Sequence, residues 1–344
     1  MIRIGVFSNY EVFNKCNAIF NPEVYPIGEN LGYPFYFLRE QIKKMGHSID
    51  TIDCRSIEDF DKYIFFDFPN RAKQLINQLA KRKKEMFLVA LESPLANSGN
   101  YECENHKYFK KIFTWNDELV DNVKYIKLNL ANKIQNDLKL SHKDRKLCVL
   151  IASNRSSQHS QELYSERSRA IEWFQTNAPA DFDLFGYGWN KYIPRNDNLA
   201  KKIQRVAFRE AAGRLAKEKY TSYRGTVKGK LEILSQYKYS ICYENAKGYY
   251  GYISEKIFDS LMAECVPIYL GSENIDKYIP RNCFIDKRNY SGYFELYKDI
   301  STEKSEILAE RVENIREYLG SSFAFDFSAE RFSEIIIREI FGSL

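Results

Sequence analysis

One short segment of the chain carries several residues that could bind a charged substrate. It reads SICYENAKGYYGYISEKIF, and its candidate residues are Glu244, Asn245, Tyr252, Glu255 and Lys256. The apolar runs around them are typical of buried strands and helices. A Glu–Lys pair where a helix begins, between two buried strands, is therefore the first candidate for a functional site.

The start of that helix could attract an anion. Ser254 is a favoured N-cap residue, and apolar residues follow it at helical spacing. Free N–H groups and the helix dipole favour negative charge at this end. Lys256 would add a cation and Tyr252 a hydroxyl donor, so that together they could hold a diphosphate. Alternatively, Glu255 only suits a helix N-terminus and Lys256 is a surface charge; the segment alone favours neither interpretation.

A metal site is not predicted. The sequence DFD (181–183) has the Asp-x-Asp spacing with which many nucleotide-sugar enzymes hold a cation. It leads into LFGYG, so we expect it where a strand begins, in a structural role. The four His are widely separated, which argues against a site built on His. Without a metal, Arg, Lys and N–H donors must neutralise a diphosphate. No cofactor is expected, and stimulation by a non-essential divalent cation is left open.

The elements that position these residues alternate between strand and helix along two successive stretches of the chain. This order predicts an α/β protein with mostly parallel sheets. A polar segment, 131–146, is predicted to be the linker. We expect one domain over 1–140, a second over 147–325, and an amphipathic helix over 326–344. Ligands of such sheets bind beyond the carboxyl ends of the strands, so a cleft between the two domains is the expected site.

Composition narrows the function classes. The chain has 344 residues and a net charge of +5, which is too mild to indicate nucleic acid. Its N-terminus shows no signal-peptide pattern, and no apolar run reaches the length of a membrane span. The seven Cys are scattered and lack CxxC spacing, as is typical of reduced thiols. We therefore expect a cytoplasmic protein.

Several segments of the chain resemble one enzyme family. The segment YKYSICYENAKGYYGYISEKIFDSLMAECVPIYLG, followed by YIPRNCFID, resembles the signature of the α1,3/α1,4-fucosyltransferases, glycosyltransferase family 10. Ile253 and Ser254 replace the Val and Thr of that signature. The segments LCVLIASNRSSQHSQELYSERSRAI, FLVALESP and YTSYRGTVKGK also resemble the family. The resemblance is strong over 147–290 and weak over 1–90.

The resemblance implies a GT-B fold, in which two Rossmann-like domains face each other across a cleft. It also implies an inverting transfer of L-fucose from GDP-β-L-fucose to a hydroxyl of an N-acetylglucosamine-containing glycan, with α1,3 or α1,4 linkage. Glu92 would be the general base, although without the resemblance it reads as a polar loop residue before Pro94. Glu255 would bind donor hydroxyls or stabilise a cationic transition state, and Glu244 would be structural.

The resemblance also implies a set of donor-binding residues. Lys256 and Arg167 would neutralise the diphosphate, with Arg169 as the alternative because the register of the Arg-x-Arg pair is open. Asn154 would cap the following helix or contact the donor. The full predicted donor-binding set is Asn154, Arg167, Arg169, Tyr223, Arg224, Asn245, Tyr252 and Lys256.

Other interpretations remain for the basic segments and for the activity. The stretch 200–230 holds ten Lys or Arg against two Glu. A donor-side loop is preferred there over a solvated helix or a nucleic-acid patch. The basic segment 71–84 and the 326–344 helix could touch an anionic membrane surface that presents lipid-linked acceptors, but ordinary packing is preferred. Alternatives for the activity are transfer from another GDP-sugar and a non-catalytic glycan- or nucleotide-binding protein.

Overall fold

The structure is a computed structural model, and it describes residues 1–25, 30–135, 144–190 and 219–342. Most of the basic stretch 200–230 and the middle of the predicted linker lie outside the described residues. Strands and helices are numbered below in chain order within the described ranges.

The first half of the chain forms a six-stranded parallel sheet. Its strands are β1 (Arg3–Ser8), β2 (Ser48–Thr51), β3 (Lys62–Phe66), β4 (Glu85–Ala90), β5 (Lys111–Thr114) and β6 (Tyr125–Lys127). They lie in the order β2-β1-β3-β4-β5-β6, and every neighbouring pair is parallel. All the strands therefore end at the same edge of the sheet, where Glu92 follows β4.

The second half repeats this architecture. Its strands are β7 (Lys146–Ile151), β8 (Phe182–Phe185), β9 (Tyr223–Gly225), β10 (Tyr237–Tyr243), β11 (Val266–Leu270) and β12 (Ile285–Asp286). The order is β12-β11-β10-β7-β8-β9, again with parallel pairs only. Glu244 and Asn245 follow β10 near the centre of this sheet.

Helices cover the sheets, as parallel strands buried on both faces require. They are α1 (Tyr33–Lys44), α2 (Lys73–Lys81), α3 (Cys103–His106), α4 (Tyr164–Asn177), α5 (Lys230–Leu234), α6 (Glu255–Met262), α7 (Tyr293–Thr302), α8 (Ser305–Leu319), α9 (Ser322–Phe325) and α10 (Ala329–Phe341). Successive residues of β3 alternate between two apolar clusters: Ile64 packs with α1 and α10, whereas Tyr63 and Phe65 pack with α2. This alternation places the first sheet between two helical layers.

Helix α10 returns to the first sheet after the second has been completed. Phe332, Ile336 and Ile340 are buried in the same cluster as Leu38 and Ile42 of α1. The apolar face of this amphipathic helix is thus occupied within the protein. We call the first sheet with α1, α2, α3 and α10 the first lobe, and the second sheet with α4 to α9 the second lobe. The predicted domain boundaries, 1–140, 147–325 and 326–344, stay a prediction.

The chain passes between the lobes twice, and the two connecting segments lie side by side. The Asn132 N–H donates to the Phe327 carbonyl (2.8 Å), and the Ala329 N–H donates to the Asn132 carbonyl (3.0 Å). Asn132 and Ser328 form a parallel bridge. The lobes are therefore joined by two hydrogen-bonded chain segments.

Candidate active site

Glu244 fixes the beginning of α6. It follows β10 directly, is fully buried, and accepts hydrogen bonds from the Ser254 N–H (2.8 Å) and hydroxyl (2.6 Å). Ser254 in turn caps α6 by accepting from the Lys256 N–H. One buried carboxylate thus ties the end of a central strand to a helix N-terminus, which fits the structural role predicted for Glu244.

Lys256 and Glu255 lie on the first turn of α6 with opposing charges close by. The Lys256 ammonium is 3.5 Å from Glu244 and 3.6 Å from Glu255, and it donates to the Ser254 hydroxyl (3.0 Å). Burial would lower the pKa of Lys256, but the charges of Glu255 and Glu244 outweigh it and raise the pKa. Burial would likewise raise the pKa of Glu255, but Lys256 and Lys230 lower it to about 2. Both groups are therefore charged at neutral pH.

Arg167 reaches the same strand end from α4. Its guanidinium is buried and donates to the Tyr243 carbonyl (2.6 Å), the Glu244 carbonyl (2.7 Å) and Asn245 Oδ1 (3.1 Å). Arg169, two positions further along the helix, has a side chain that is 66% exposed and pairs with Glu166 at 2.5 Å. Of the two predicted arginines, the structure brings only Arg167 to Asn245.

The sequence did not single out Lys230 and Asp259, which complete the charged cluster. Lys230 Nζ lies 2.6 Å from Asp259 Oδ2 and 3.7 Å from Glu255, and its side chain is only 13% exposed. Burial would lower the pKa of Lys230, but Asp259 and Glu255 outweigh it and raise the pKa. Asp259 lies one helical turn after Glu255, a spacing that could have indicated a shared partner. Lys230 is one of the ten Lys or Arg residues of the stretch 200–230, and the sequence does not distinguish it from the others.

These groups surround a small pocket at the end of the second sheet. Arg167, Lys230, Lys256 and Asp259 line it, together with Ile151 at the end of β7. Three cations thus face one concave site beyond the carboxyl ends of parallel strands, the location expected for a ligand in this architecture.

The Lys230→Met variant tests how much the ion pairs of Lys230 contribute to the stability of the protein. Losing the ammonium leaves Asp259 and Glu255 without their partner, and breaking a buried ion pair costs ~3–5 kcal/mol. We expect urea unfolding to show a loss of that size, with partial recovery when Asp259 is also replaced by Leu. The matched control is Lys43→Met, because Lys43 forms an exposed pair with Glu40 and such pairs contribute about 0–1 kcal/mol. Equal losses in the two single variants would contradict the buried pair.

Tyr252 lies between the lobes. It is 3% exposed, and its ring centroid is 4.8 Å from that of Trp115 in the first lobe. Burial and the negative charges of Glu244, Glu92 and Glu255 raise the pKa of its hydroxyl well above the ordinary value. The pKa of Tyr252 therefore depends on carboxylates of both lobes. It belongs to the interface beside the pocket.

A polar contact next to Tyr252 also joins the lobes. Asp117, which follows β5, accepts from Asn274 Nδ2 (2.7 Å) and the Tyr278 hydroxyl (2.5 Å) of the second lobe. The Gly251 N–H donates to Ser272 Oγ (3.0 Å) and Asn274 Oδ1 (2.9 Å). The loop that leads into α6 is therefore fixed against the first lobe.

Gly251 allows this close approach, and Gly251→Ala should disrupt it. Its φ is +81°, and an added Cβ would clash with the Trp115 carbonyl oxygen. Gly46→Ala is the matched control, because Gly46 has φ +78° but open space around it. We expect urea unfolding to show about 1–2 kcal/mol lost from backbone strain in Gly46→Ala and a larger loss in Gly251→Ala. Equal losses would mean that the clash is relieved without cost.

Glu92 faces this arrangement from the first lobe. It follows β4, and its Oε1 accepts from the Tyr10 hydroxyl at 2.5 Å. Burial, and then the charge of Glu92, raise the pKa of Tyr10, while the charge of Arg155 in the second lobe acts in the opposite direction. The charge of Glu92 also acts on Tyr252. Glu92 therefore lies at the strand ends of its own sheet, within electrostatic reach of Tyr252 in the other lobe.

The remaining predicted residues lie around β8 and β9. Asn154 Nδ2 donates to the Gly188 carbonyl (3.2 Å), and the Tyr223 hydroxyl donates to the Gly186 carbonyl (2.9 Å). Both side chains hold the loop that follows β8. Arg224 instead forms an ion pair with the buried Asp183 at 2.5 Å. The structure does not bring Arg224 to the pocket residues.

The two aspartates of the DFD sequence have separate partners. Asp183 lies within β8 and accepts from Lys146 (2.7 Å) and the Tyr237 hydroxyl (2.7 Å), whereas Asp181 accepts from the Tyr297 hydroxyl (2.7 Å). Over the described ranges, no cluster of three or more His, Cys, Asp or Glu is suited to holding a metal ion. No helix of the described chain combines the length and hydrophobicity that a membrane span needs.

Two parallel α/β sheets whose strand ends face a shared cleft define the GT-B class of glycosyltransferases. Two solved structures share this fold. An α1,3-fucosyltransferase crystallised with GDP-fucose has a TM-score of 0.53 at 16% identity, over 100% of this chain and 91% of that one. A DNA-modifying β-glucosyltransferase has a TM-score of 0.60 at 15% identity, over 99% of this chain and 100% of that one. The predicted α/β fold is confirmed.

The sequence of the second lobe is similar to one enzyme family. Residues 189–307 match the family model described as glycosyltransferase family 10 (fucosyltransferase) C-term. The α-(1,3)-fucosyltransferase FucT of Helicobacter pylori is 38% identical over 91 residues, which are 26% of this chain and 19% of that protein. Both matches name the family that the sequence was found to resemble. The matched region spans about a fifth of the length of that relative.

Proposed function

We propose that this protein transfers L-fucose from GDP-β-L-fucose to a hydroxyl of an N-acetylglucosamine-containing glycan, forming an α1,3 or α1,4 linkage with inversion. One observation carries the proposal. A pocket lined by Arg167, Lys230 and Lys256 lies at the strand ends of the family 10 domain, and Glu92 follows a strand of the facing lobe. The GDP-fucose complex of the fucosyltransferase with this fold supports the choice of donor.

The pocket would bind the donor diphosphate without a metal. In the structure each pocket cation already has a counter-charge or carbonyl partner: Lys256 has Glu244 and Glu255, Lys230 has Asp259, and Arg167 has strand-end carbonyls. A diphosphate would add its charge to a cluster in which cations and carboxylates are balanced. We therefore expect Lys256, the pocket cation at the helix N-terminus, to turn from Glu255 towards the phosphates, since charge-assisted contacts to phosphate are strong.

Freed from Lys256, Glu255 would bind hydroxyls of the fucose ring or stabilise positive charge that develops on it. The charge of Lys230, which also lowers the pKa of Glu255, would remain beside it and favour the ionised carboxylate that both roles need. Asn245, held by Arg167, would add a hydrogen bond to the donor. Asn154 and Tyr223 would act through the loop after β8, and Tyr252 through the contact between the lobes.

Glu92 would take the proton of the attacking acceptor hydroxyl. That oxygen then bonds to the anomeric carbon while the bond from this carbon to the phosphate oxygen breaks, and GDP leaves with the electron pair. Because attack and departure occur on opposite faces of the sugar, the base and the cations must lie on opposite sides of it. A base in one lobe and cations in the other meet that requirement. In the structure, the Tyr10 hydroxyl donates a hydrogen bond to the Glu92 carboxylate.

The acceptor is proposed to be an oligosaccharide or a lipid-linked glycan. The protein is proposed to act in the cytoplasm, where the thiols of Cys16, Cys54 and Cys103, free and exposed in the structure, would stay reduced. Contact with the inner membrane surface would bring it to lipid-linked acceptors. The exposed basic residues in and beside α2 would suit such contact; they are Arg71, Lys73, Lys81, Arg82 and Lys83.

A donor and acceptor panel tests the proposal. The protein is incubated with GDP-fucose, GDP-mannose or UDP-galactose, each with N-acetyllactosamine or lacto-N-biose, and GDP or UDP release and product mass are measured. Release of GDP with an α-linked fucosylated product, identified by NMR, supports the proposal. Turnover with GDP-mannose alone would overturn the donor assignment. Binding of GDP without any turnover would indicate a nucleotide-binding protein.

A further inference from the structure

Asp67 occupies an unusual position next to the proposed base. It follows β3 directly, its side chain is buried, and the residue as a whole is 3% exposed. Its φ is +62°, in the left-handed region, which Asp adopts more readily than most L residues. Asp67 is absent from the residues that the sequence singled out.

The contacts of Asp67 all lead to the segment that carries Glu92. Its Oδ1 accepts from the Leu91 N–H (2.8 Å), the Glu92 N–H (2.9 Å) and Asn100 Nδ2 (2.7 Å). Asn100 Nδ2 and the Tyr101 hydroxyl also donate to the Glu92 carbonyl, at 3.2 and 3.0 Å. The main chain of Glu92 is therefore held at both its N–H and its carbonyl, and Asp67 and Asn100 form the centre of this network.

The two carboxyl groups also interact electrostatically. Burial, and then the charge of Glu92, raise the pKa of Asp67 to about 7, although the hydrogen bonds from Glu92 and Asn100 act in the opposite direction. Three other titratable groups interact with one or both carboxyls, namely Tyr10, Tyr101 and Tyr252, and the charge of Arg155 acts on Tyr10. Near neutral pH, Asp67 can therefore exist with or without its proton.

We propose that Asp67 is a positioning residue for the general base: together with Asn100, it fixes the main chain of Glu92 at the end of β4. The inference rests on the proposed function, because it assumes that Glu92 takes the acceptor proton. A buried aspartate would thus hold the base in place through the main chain that carries it.

Asp67→Ala and Asp67→Asn together test the inference, because Ala removes the Oδ1 acceptor and Asn keeps it. We expect Asp67→Ala to lower kcat by about 10- to 100-fold, since a small misplacement of a catalytic group is costly. The KM for the donor should change little, because the donor cations lie in the other lobe. Asp67→Asn should recover most of the lost kcat. Equal losses of kcat in the two variants would overturn the positioning role.

Thermal unfolding at several pH values gives a readout independent of activity. A carboxyl whose pKa rises from 3.8 to about 7 on folding binds more protons in the folded state within that window. The wild type should therefore lose stability relative to Asp67→Asn as the pH rises from 4 to 7, and the difference should stay constant above. A difference that does not depend on pH would overturn the buried placement of the Asp67 carboxyl on which the positioning role depends.

Asp121→Asn is the matched control. Its Oδ1 accepts from three main-chain N–H groups in the same lobe, those of Val123, Lys124 and Tyr125, far along the chain from β3 and β4. Asp121→Ala and Asp121→Asn should both leave kcat unchanged. A wild type without turnover on the donor and acceptor panel would overturn the proposed function, and the positioning role with it. A wild-type kcat in Asp67→Ala would overturn the role of Asp67 alone.

Discussion

Glu92→Gln should bind GDP-fucose as tightly as the wild type and lose turnover by about 10²- to 10⁴-fold, the contribution typical of a positioned general base. Gln keeps the shape of Glu92 and can still accept from the Tyr10 hydroxyl, but it cannot take a proton. The loss should appear in kcat with little change in the KM for the donor, because the donor cations lie in the other lobe. Steady-state kinetics and calorimetric titration with GDP-fucose separate the two effects.

The control for this variant lies on the same strand. Glu85 begins β4 at the opposite edge of the sheet, where it pairs with Lys62 (3.1 Å) and with Lys110. Glu85→Gln changes the same functional group in the same strand and should leave kcat unchanged. If Glu92→Gln retains wild-type turnover, Glu92 is not the base and the proposed mechanism fails.

Lys256→Met should weaken the binding of GDP by about 10- to 100-fold. Removing one charge-assisted contact to a phosphate costs about 1.5–3 kcal/mol, and each 1.4 kcal/mol is a factor of ten. The loss should be smaller for guanosine, which carries no phosphate. Calorimetric titration with GDP, GMP and guanosine measures this dependence directly. Equal weakening of all three ligands would contradict a diphosphate contact.

A second variant separates the loss of binding from a loss of folding. Lys256→Met leaves the buried Glu244 without its ammonium, so the double variant Glu244→Gln/Lys256→Met should recover thermal stability but not GDP affinity. Lys146→Met is the matched control, because Lys146 also pairs with a buried carboxylate, Asp183 at 2.7 Å, but from the start of β7. It should lower stability and leave GDP affinity unaltered.

The sequence predicted those parts of the site that lie in one short segment. The N-cap of α6 follows from Ser254 and the apolar spacing after it, and the helix begins at the next residue. The strands before and after it also lie where apolar runs predicted them, because parallel central strands are buried on both faces and leave an uninterrupted signal. Glu244 and Asn245 could therefore be placed at a strand end before the structure was known.

The parts that could not be predicted depend on three-dimensional packing. Arg167 and Arg169 are two positions apart on a helix, so they point in nearly opposite directions, but the sequence does not say which of them faces the sheet. Whether Arg224 would face a ligand or Asp183 depends on the register of β9. Lys230, Asp259 and Asp67 meet their partners only after folding. In each case the residue type was visible in the sequence, but its neighbour was not.

The return of α10 to the first lobe has a consequence for biosynthesis. In most multidomain proteins the segment made first folds first, while the ribosome is still producing the rest. Here the apolar surface of α1 stays uncovered until residues 329–341 have been translated, because Leu38 and Ile42 pack against that helix. The apolar surface of the nascent first lobe therefore stays exposed while the second lobe is made, and during that interval it is open to binding by chaperones.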